Sequence, residues 1–494
     1  FIIIRKMKRK FISLTLLFAG VFMLASCLSD DTDDSNIVYY GDAAITSFSL
    51  GTLNKTYLYN NGDTIKKNTD GTDSTTTVDC SKYKLTIDQL KHEVYNVDSL
   101  PAGVDFRKVV CTVGTKNAGI LALKRLKKKD TDKDTLDYYT SDSVDFSVPR
   151  EFRVYSTDGT NYRSYEVRLN VHKEQPDSFV WHRQSVAEIV GGMSGVASDI
   201  KLLPMGDKMY MAIADSHNMY IAVKNINDDS KSWRVTGSNM NMVFTAEGCK
   251  NIAVFNNYIY LYNQGNLFRT ADGRTWEKPT TEGFNDVKRL VGAGNGKLYA
   301  TTSSGIISSA DGVKWTAATL DGEATALPVE NVTVCTLPSK TNNDVERVLM
   351  IGDAQQGDTA AVVWGKLEDK SESVDSYQWS QYEGVNKYML PNMKGLSVMV
   401  FDGKLYAIGG EGQNGSKAQP YNKLYCSTDQ GLTWKPSRLF ALPKDFSKDV
   451  DANTVAMAAD KDNHIWLVSL QTGEVWKMRI NRYGWKTEQK SFNE

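Results

Sequence analysis

Ser427-Thr428-Asp429-Gln430-Gly431-Leu432-Thr433-Trp434 decides how this chain folds, because it does not stand alone. Shorter versions read Thr270-Ala271-Asp272-Gly273-Arg274-Thr275-Trp276 and Ser309-Ala310-Asp311-Gly312-Val313-Lys314-Trp315. Each copy joins an Asp-Gly turn to a Trp. The Asp carboxylate can accept hydrogen bonds from the backbone of its own turn. Gly takes positive φ at little cost, and Trp buries a large ring. Such a unit, returning at intervals of tens of residues, marks a repeat architecture.

Counting outward from these copies gives candidate outer-strand residues Trp181, Trp233, Trp276, Trp315, Trp379, Trp434 and Trp485. Their successive gaps of 52, 43, 39, 64, 55 and 51 residues surround the length of a four-stranded propeller blade, about 40–45 residues. A second phrase, a polar turn followed by an apolar strand with an aromatic, repeats independently. It appears at Gly206–Tyr210, Asn256–Tyr260, Asn295–Tyr299, Asp402–Tyr406 and Asp462–Trp466. The aromatic gaps are 50, 39, 107 and 60, and the gap of 107 holds a copy without an aromatic, Arg347–Ile351. Residues 178–494 therefore read as a six-bladed β-propeller, with seven blades as the alternative. Trp181 is surplus in the six-blade count. Its segment, Asp177–Arg183, is expected to pair with the last blade and close the ring, because a ring must hide its edges.

The copy at Ser427–Trp434 resembles the Asp-box of sialidase-type repeats at every position. Asp272, Gly273, Trp276, Asp311, Gly312, Trp315, Ser427, Asp429, Gly431 and Trp434 are accordingly assigned structural roles. Ala407-Ile408-Gly409-Gly410, with Tyr425 and Trp434, is similar to a kelch blade. A sialidase resemblance would demand an Arg triad, an acidic pair and a Tyr nucleophile. The nearest string to its first Arg phrase, Phe268-Arg269-Thr270-Ala271, lies inside a repeat strand. Kelch-bladed copper oxidases need His and a Tyr–Cys pair, whereas His92, His172, His182, His217 and His464 are the only His here. No residue is assigned as catalytic, and no cofactor or metal is expected. A carboxylate pair drawn from Asp215, Glu247 and Glu411 is the remaining route to glycan chemistry, since glycosidase acids converge in space rather than in sequence.

Upstream, residues 37–172 alternate as strands, for example Ala44–Leu50, Tyr83–Ile87 and Val109–Val113. Asn61-Gly62-Asp63 and Asp70-Gly71-Thr72 read as turns. Phe152–Ser156 and Tyr165–Val171 flank Thr157-Asp158-Gly159-Thr160 as a hairpin. That hairpin resembles the closing strands of immunoglobulin-like and cadherin-like sandwiches, and implies a β-sandwich of about 130 residues. Lys124–Asp134 reads as a solvated hairpin tip, because a Ca²⁺ loop would need Gly where Thr135 stands. Residues 173–177 form a polar, Pro-containing linker. The fold class expected is all-β.

Residues 1–27 carry an address. Lys8-Arg9-Lys10 precedes the apolar run Phe11–Ala25, and Leu24-Ala25-Ser26-Cys27 has lipobox spacing. Cys27 is the expected lipidation site, and Met7 the expected start. Residues 28–36 form an acidic tether. Its Asp30, Asp31, Asp33 and Asp34 resemble the export signal of Bacteroidota lipoproteins on the outer face of the outer membrane. Of the other cysteines, Cys80 and Cys111 are the one pair worth testing for a disulfide.

A formal charge of -1 over 494 residues gives no reason to expect nucleic acid. In its whole order the chain looks like a family of uncharacterised Bacteroidota surface lipoproteins with a propeller C-terminal domain. The resemblance implies membrane attachment through a lipid anchor, surface display and glycan or protein partners. The expected function is a non-catalytic binding or scaffolding module acting through the propeller face. A glycan-active hydrolase or lyase with carboxylates at the propeller mouth is the alternative, and an assembly role in an envelope complex is the third.

Overall fold

The computed structural model describes residues 38–57, 67–127, 129, 131, 133–191, 195–237, 239, 243–339, 341–354, 357–369, 371, 377–383 and 387–484. Cys27, the four tether Asp residues, the turn at Asn61–Asp63 and Trp485 lie outside them. The described part is all-β apart from short 3-10 turns and one helix of five residues, Ala187–Gly191.

The N-terminal strands are β1 (Ile45–Leu50), β2 (Thr52–Thr56), β3 (Thr75–Asp79), β4 (Leu85–Asp88) and β5 (Glu93–Asn96). They continue as β6 (Cys111–Thr115), β7 (Ile120–Lys124), β8 (Leu136–Tyr138), β9 (Arg150–Tyr155) and β10 (Tyr162–Arg168). The first compact unit comprises the described residues up to Leu53 with Asp79–Asp98 and Phe106–Leu169. It holds a β1-β6 pair and a six-stranded sheet ordered β4-β5-β10-β9-β7-β8. Alternation produces its core: β9 buries Arg150, Phe152 and Val154 and turns the residues between them outward. Phe152 meets Phe48 of β1 and Tyr139 edge-on, at centroid distances of 5.6 and 5.4 Å. β9 and β10 form the expected hairpin, with Tyr155 opposite Tyr162. β7 and β8 pair across the charged stretch, where Asp134 bridges Lys124 and Lys127. Cys80 and Cys111 are both buried and both free thiols.

The second unit gathers Asn54–Val78, Ser99–Asp105 and Asn170 onward. After β11 (His182–Ser185), its strands form successive antiparallel sheets. The first comprises β12 (Asp199–Met205), β13 (Lys208–Ala214), β14 (Met219–Asn225) and β15 (Arg234–Thr236). The second comprises β16 (Ile252–Phe255), β17 (Tyr258–Asn263), β18 (Asn266–Thr270) and β19 (Trp276–Glu277). The third comprises β20 (Val287–Ala293), β21 (Leu298–Thr302), β22 (Ile306–Ser309) and β23 (Thr316–Ala317). The fourth adds a parallel edge strand, β24 (Leu320–Asp321), to β25 (Glu330–Pro338), β26 (Val345–Asp353), β27 (Val362–Asp369) and β28 (Trp379–Gln381). The fifth comprises β29 (Ser397–Phe401), β30 (Lys404–Ile408), β31 (Tyr425–Ser427) and β32 (Lys435–Pro436). The last comprises β33 (Val455–Ala459), β34 (His464–Ser469) and β35 (Glu474–Arg479), and its fourth strand is β11.

The β11–β35 register runs from His182 opposite Lys477 to Ser185 opposite Glu474. Trp181, immediately before β11, takes the place that Trp233, Trp276, Trp315, Trp379 and Trp434 hold at the start of the other fourth strands. Among the described residues, the second phrase always falls on the second strand of a sheet, and Tyr210, Tyr260, Tyr299, Tyr406 and Trp466 are all buried. Each sheet is apolar on both faces, because each meets a sheet on either side. One buried cluster fills each junction: Trp466 and Met211 belong to the cluster between the last and first sheets, and Ile221 and Phe268 to the next.

Candidate functional site

The three Asp-Gly-Trp copies all join a third strand to a fourth. Asp272 accepts from the N–H groups of Arg274 and Thr275 at 2.8 and 2.7 Å. Asp311 accepts from Val313 and Lys314 at 2.7 and 2.9 Å, and Asp429 from Thr433 at 2.9 Å. The preceding hydroxyl, Thr270, Ser309 or Ser427, accepts from the glycine N–H. Burial would raise Asp272, but these turn bonds overcome it and hold the carboxyl down at about 2. The carboxylates are thus occupied by their own turns, on the outer side of each sheet. Arg269 pairs with Glu277 and lies over Tyr258 at 4.8 Å.

The inner side of the ring is different. β12, β16, β20, β25, β29 and β33 lie side by side in that order, and β33 returns beside β12. Residues of β12, β25, β29 and β33, with Arg289 of β20, line an axial cavity of about 350 Å³. Along the strands its wall is mixed, with Val334, Val398 and Met457 beside Lys201, Thr333 and Ser397. Where the strands begin, it is charged: Asp199 opens β12, Lys250 ends the 3-10 turn before β16, and Arg289 is the third residue of β20. Glu330, which opens β25, stands behind them as the partner of Lys250 and Arg289.

These four residues form one network. Lys250 Nζ lies 2.9 Å from Glu330 and 3.9 Å from Asp199. Arg289 Nη2 lies 3.1 Å from Glu330 and 3.7 Å from Glu247. Carboxylate oxygens that share one cation are no further apart than the sum of its two contacts. That keeps both pairs below the upper end, about 10 Å, of the span used by glycosidase acids. Asp353, at the end of β26, is the cross-strand partner of Glu330. Asn331 Nδ2 donates to Asp353 Oδ2 at 2.8 Å, while buried Oδ1 has no partner among the described residues.

The local fields separate these acids. Burial pushes Asp353 up to about 7, and the facing Glu330 adds to the shift. Burial also pushes Asp199 up to about 6, against the pull of Lys250. Burial alone would raise Glu330, but Lys250 and Arg289 hold it below the ordinary value. Burial pushes the Lys201 ammonium down to about 8. Perturbed groups of both signs in one cavity are a physical mark of a functional site.

Sequence reasoning reached one member of this group, Glu247. Asp215 instead closes its own turn, accepting from the N–H groups of His217 and Asn218 and from Tyr220 Oη. Glu411 is exposed and does not line the cavity. Asp199, Lys201, Lys250, Arg289, Glu330 and Asp353 were not singled out. Asp199 and Glu330 each open a first strand with a charge; the others carry no comparable local signal. Among the described residues, no group of three or more His, Cys, Asp or Glu is placed to hold a metal.

These features define an all-β protein with a C-terminal β-propeller domain and a charged axial mouth. The chain belongs to the DUF6242 family: its beta propeller domain profile matches residues 175–488 and its N-terminal domain profile residues 48–169. No curated protein matches the chain. Among solved structures, it is similar to a protein of unknown function from Bacteroides thetaiotaomicron, with 11% identity and a TM-score of 0.36, covering 81% of this chain and 98% of that one. A Trichoderma reesei protein of carbohydrate-active family AA12 shares 8% identity at TM-score 0.36, covering 61% and 95%. The α-L-arabinofuranosidase Arb93A of Fusarium graminearum shares 11% at 0.27, covering 74% and 93%.

Proposed function

We propose that this protein is a lipoprotein anchored through Cys27 and displayed on the outer face of the outer membrane. Its propeller serves as a non-catalytic binding or scaffolding module for glycans or protein partners. Support for the address comes from the basic, apolar and lipobox segments in register, followed by Asp30, Asp31, Asp33 and Asp34. The observation that carries the binding reading is the axial cavity with its mouth of Asp199, Lys250, Arg289 and Glu330. Every charge in that network except Asp199 sits within 3.1 Å of an opposite one, so the mouth is preorganised for polar contacts.

A second reading is favoured by one observation. Asp353 and Glu330 face each other, one pushed toward the protonated form and the other held ionised. Such a split suits a glycan hydrolase or lyase. Screening the chain from Asp30 onward on a glycan array, beside polysaccharide hydrolysis assays, separates the two. Binding without turnover supports the module, and turnover lost in Glu330→Gln supports the enzyme. Radiolabelled palmitate incorporation that persists in Cys27→Ser would refute the anchor.

A further inference from the structure

Lys201 stands apart from its neighbours. It lines the axial cavity on β12, two residues along from Asp199 and thus on the same face of the strand. Lys250 and Arg289 each have a carboxylate within about 3 Å. Lys201 has neither an ion pair nor a side-chain hydrogen bond among the described residues, and its neighbours act on it only through space. Protein surrounds it, yet part of its surface stays accessible from the cavity. An ammonium held out of bulk water without a contacting counter-charge is costly. The fold has kept one at the wall of a cavity large enough for a small organic molecule.

We infer that Lys201 is the recognition point for a carboxylate that enters the axial cavity on a small acidic ligand, such as a terminal uronic acid. This deepens the binding reading given above and rests on it. The unpaired ammonium supplies the counter-charge. The remaining lining fits a polyhydroxylated ring: Thr333 and Asn453 offer neutral donors and acceptors, and Asp199 accepts from hydroxyls. Val334, Val398 and Met457 cover apolar C–H faces. A charge-assisted hydrogen bond in such a setting is worth about tenfold or more in affinity.

Calorimetric titration of the full chain in detergent, with D-glucuronate, D-glucose and N-acetyl-L-alanine, tests the inference. The glucose arm removes the charge, and the N-acetylalanine arm presents the same carboxylate from a peptide end. Glucuronate should bind at least about tenfold more tightly than glucose, and Lys201→Met should abolish that preference while Lys201→Arg retains it. Because Lys201 has no partner to lose, Lys201→Met should melt no lower than the parent, which tryptophan fluorescence checks. Stronger binding of N-acetylalanine, equally dependent on Lys201, would keep the carboxylate site but overturn the sugar. Equal affinity for glucuronate and glucose, or an unchanged preference in Lys201→Met, would overturn the inference. Neutral glycans captured on the array in that event would leave the binding-module reading standing. Glucuronate binding with a silent array would keep the carboxylate site and overturn larger glycans as the partner of the binding module.

Discussion

Gly312 lies against the ring of Tyr260, so closely that a Cβ on the glycine would come within 2.5 Å of the ring's Cε1 and hydroxyl oxygen. Gly312 belongs to the turn of the third sheet, and Tyr260 to the second strand of the sheet before it. The two repeated phrases are therefore two halves of one contact between neighbouring sheets. Gly273 and Tyr210 repeat it one sheet earlier, at 2.9 Å. Gly431 repeats it against Leu349, within the phrase copy that lacks an aromatic, at a looser 3.4 Å.

This gradient predicts a graded response to alanine. All three glycines have φ between +75° and +90°, which costs a non-glycine residue about 1 kcal/mol. Gly312→Ala adds overpacking against Tyr260 and should lose about 2–4 kcal/mol in all. Gly431→Ala should lose only the backbone part. All ten Trp residues lie at position 181 or beyond, so denaturant unfolding followed by tryptophan fluorescence reports this domain. Equal losses at the two sites would contradict the contact.

The rings that end these turns carry more of the stability. Trp276, Trp315 and Trp434 are 3–4% exposed, and truncating each to Ala should cost about 3–5 kcal/mol. Phe244 packs on Trp276 at 4.9 Å, and Phe284 on Trp315 at 4.7 Å, so those two variants also strip a phenyl ring of its partner. Melting within a degree or two of the parent for all three would mean that the rings are not buried.

The architecture was legible because it repeats. An Asp that must satisfy its own turn, and an aromatic that must fill a junction, are local demands that each sheet restates. Trp181 could be matched to the closing strand for the same reason, as one outer-strand residue too many. Trp485 looked like the matching residue of the last sheet, but that sheet takes its fourth strand from β11, which no local pattern states. The mouth was hidden for a different physical reason. Successive members of the set Asp199, Lys250, Arg289 and Glu330 stand between 39 and 51 residues apart along the chain, and only the side-by-side packing of first strands makes them neighbours. Glu247 and Asp215 were named together because, as single acids in the sequence, they look alike. Only the tertiary structure tells a carboxylate beside Arg289 from one that closes a turn.

The acid facing Glu330 should reveal itself through pH. Burial pushes Asp353 up to about 7 in the folded chain, against an ordinary value of 3.8. A raised folded value favours folding most below 3.8, and that contribution is lost as the pH climbs toward 7. Asp353→Asn cannot ionise and can still accept from Asn331. It should therefore exceed the parent in stability at pH 8, with the gain shrinking toward pH 4. Denaturant midpoints at pH 4, 6 and 8 check this. A constant offset across that range would rule out the raised carboxyl.

Asp272 should behave in the opposite way. Its folded value is held at about 2, so its contribution is present above 3.8 and is lost as the pH falls toward 2. Asp272→Asn should be less stable than the parent at pH 6, and the two should converge as acid protonates the native carboxylate. An undiminished gap at pH 2.5 would show that the loss comes from altered turn geometry instead of charge.

Closure offers the most discriminating test. β11 is the outer strand of its sheet, and Arg183 and Gln184 stand opposite Trp476 and Val475 of β35. Successive N–H groups along a strand point to opposite sides, so one of these two faces β35 and the other faces away. Proline removes the N–H, and is tolerated in an edge strand only on its outward side. Arg183→Pro and Gln184→Pro should therefore differ sharply. One should lose about 1–3 kcal/mol, the cost of an unsatisfied carbonyl, and the other much less. The severe variant should also aggregate, because opening the ring exposes the β35 edge beside buried Val475 and Trp476. Size-exclusion chromatography with denaturant unfolding reads both effects. If both variants stay monomeric and lose nothing, β11 does not close this ring.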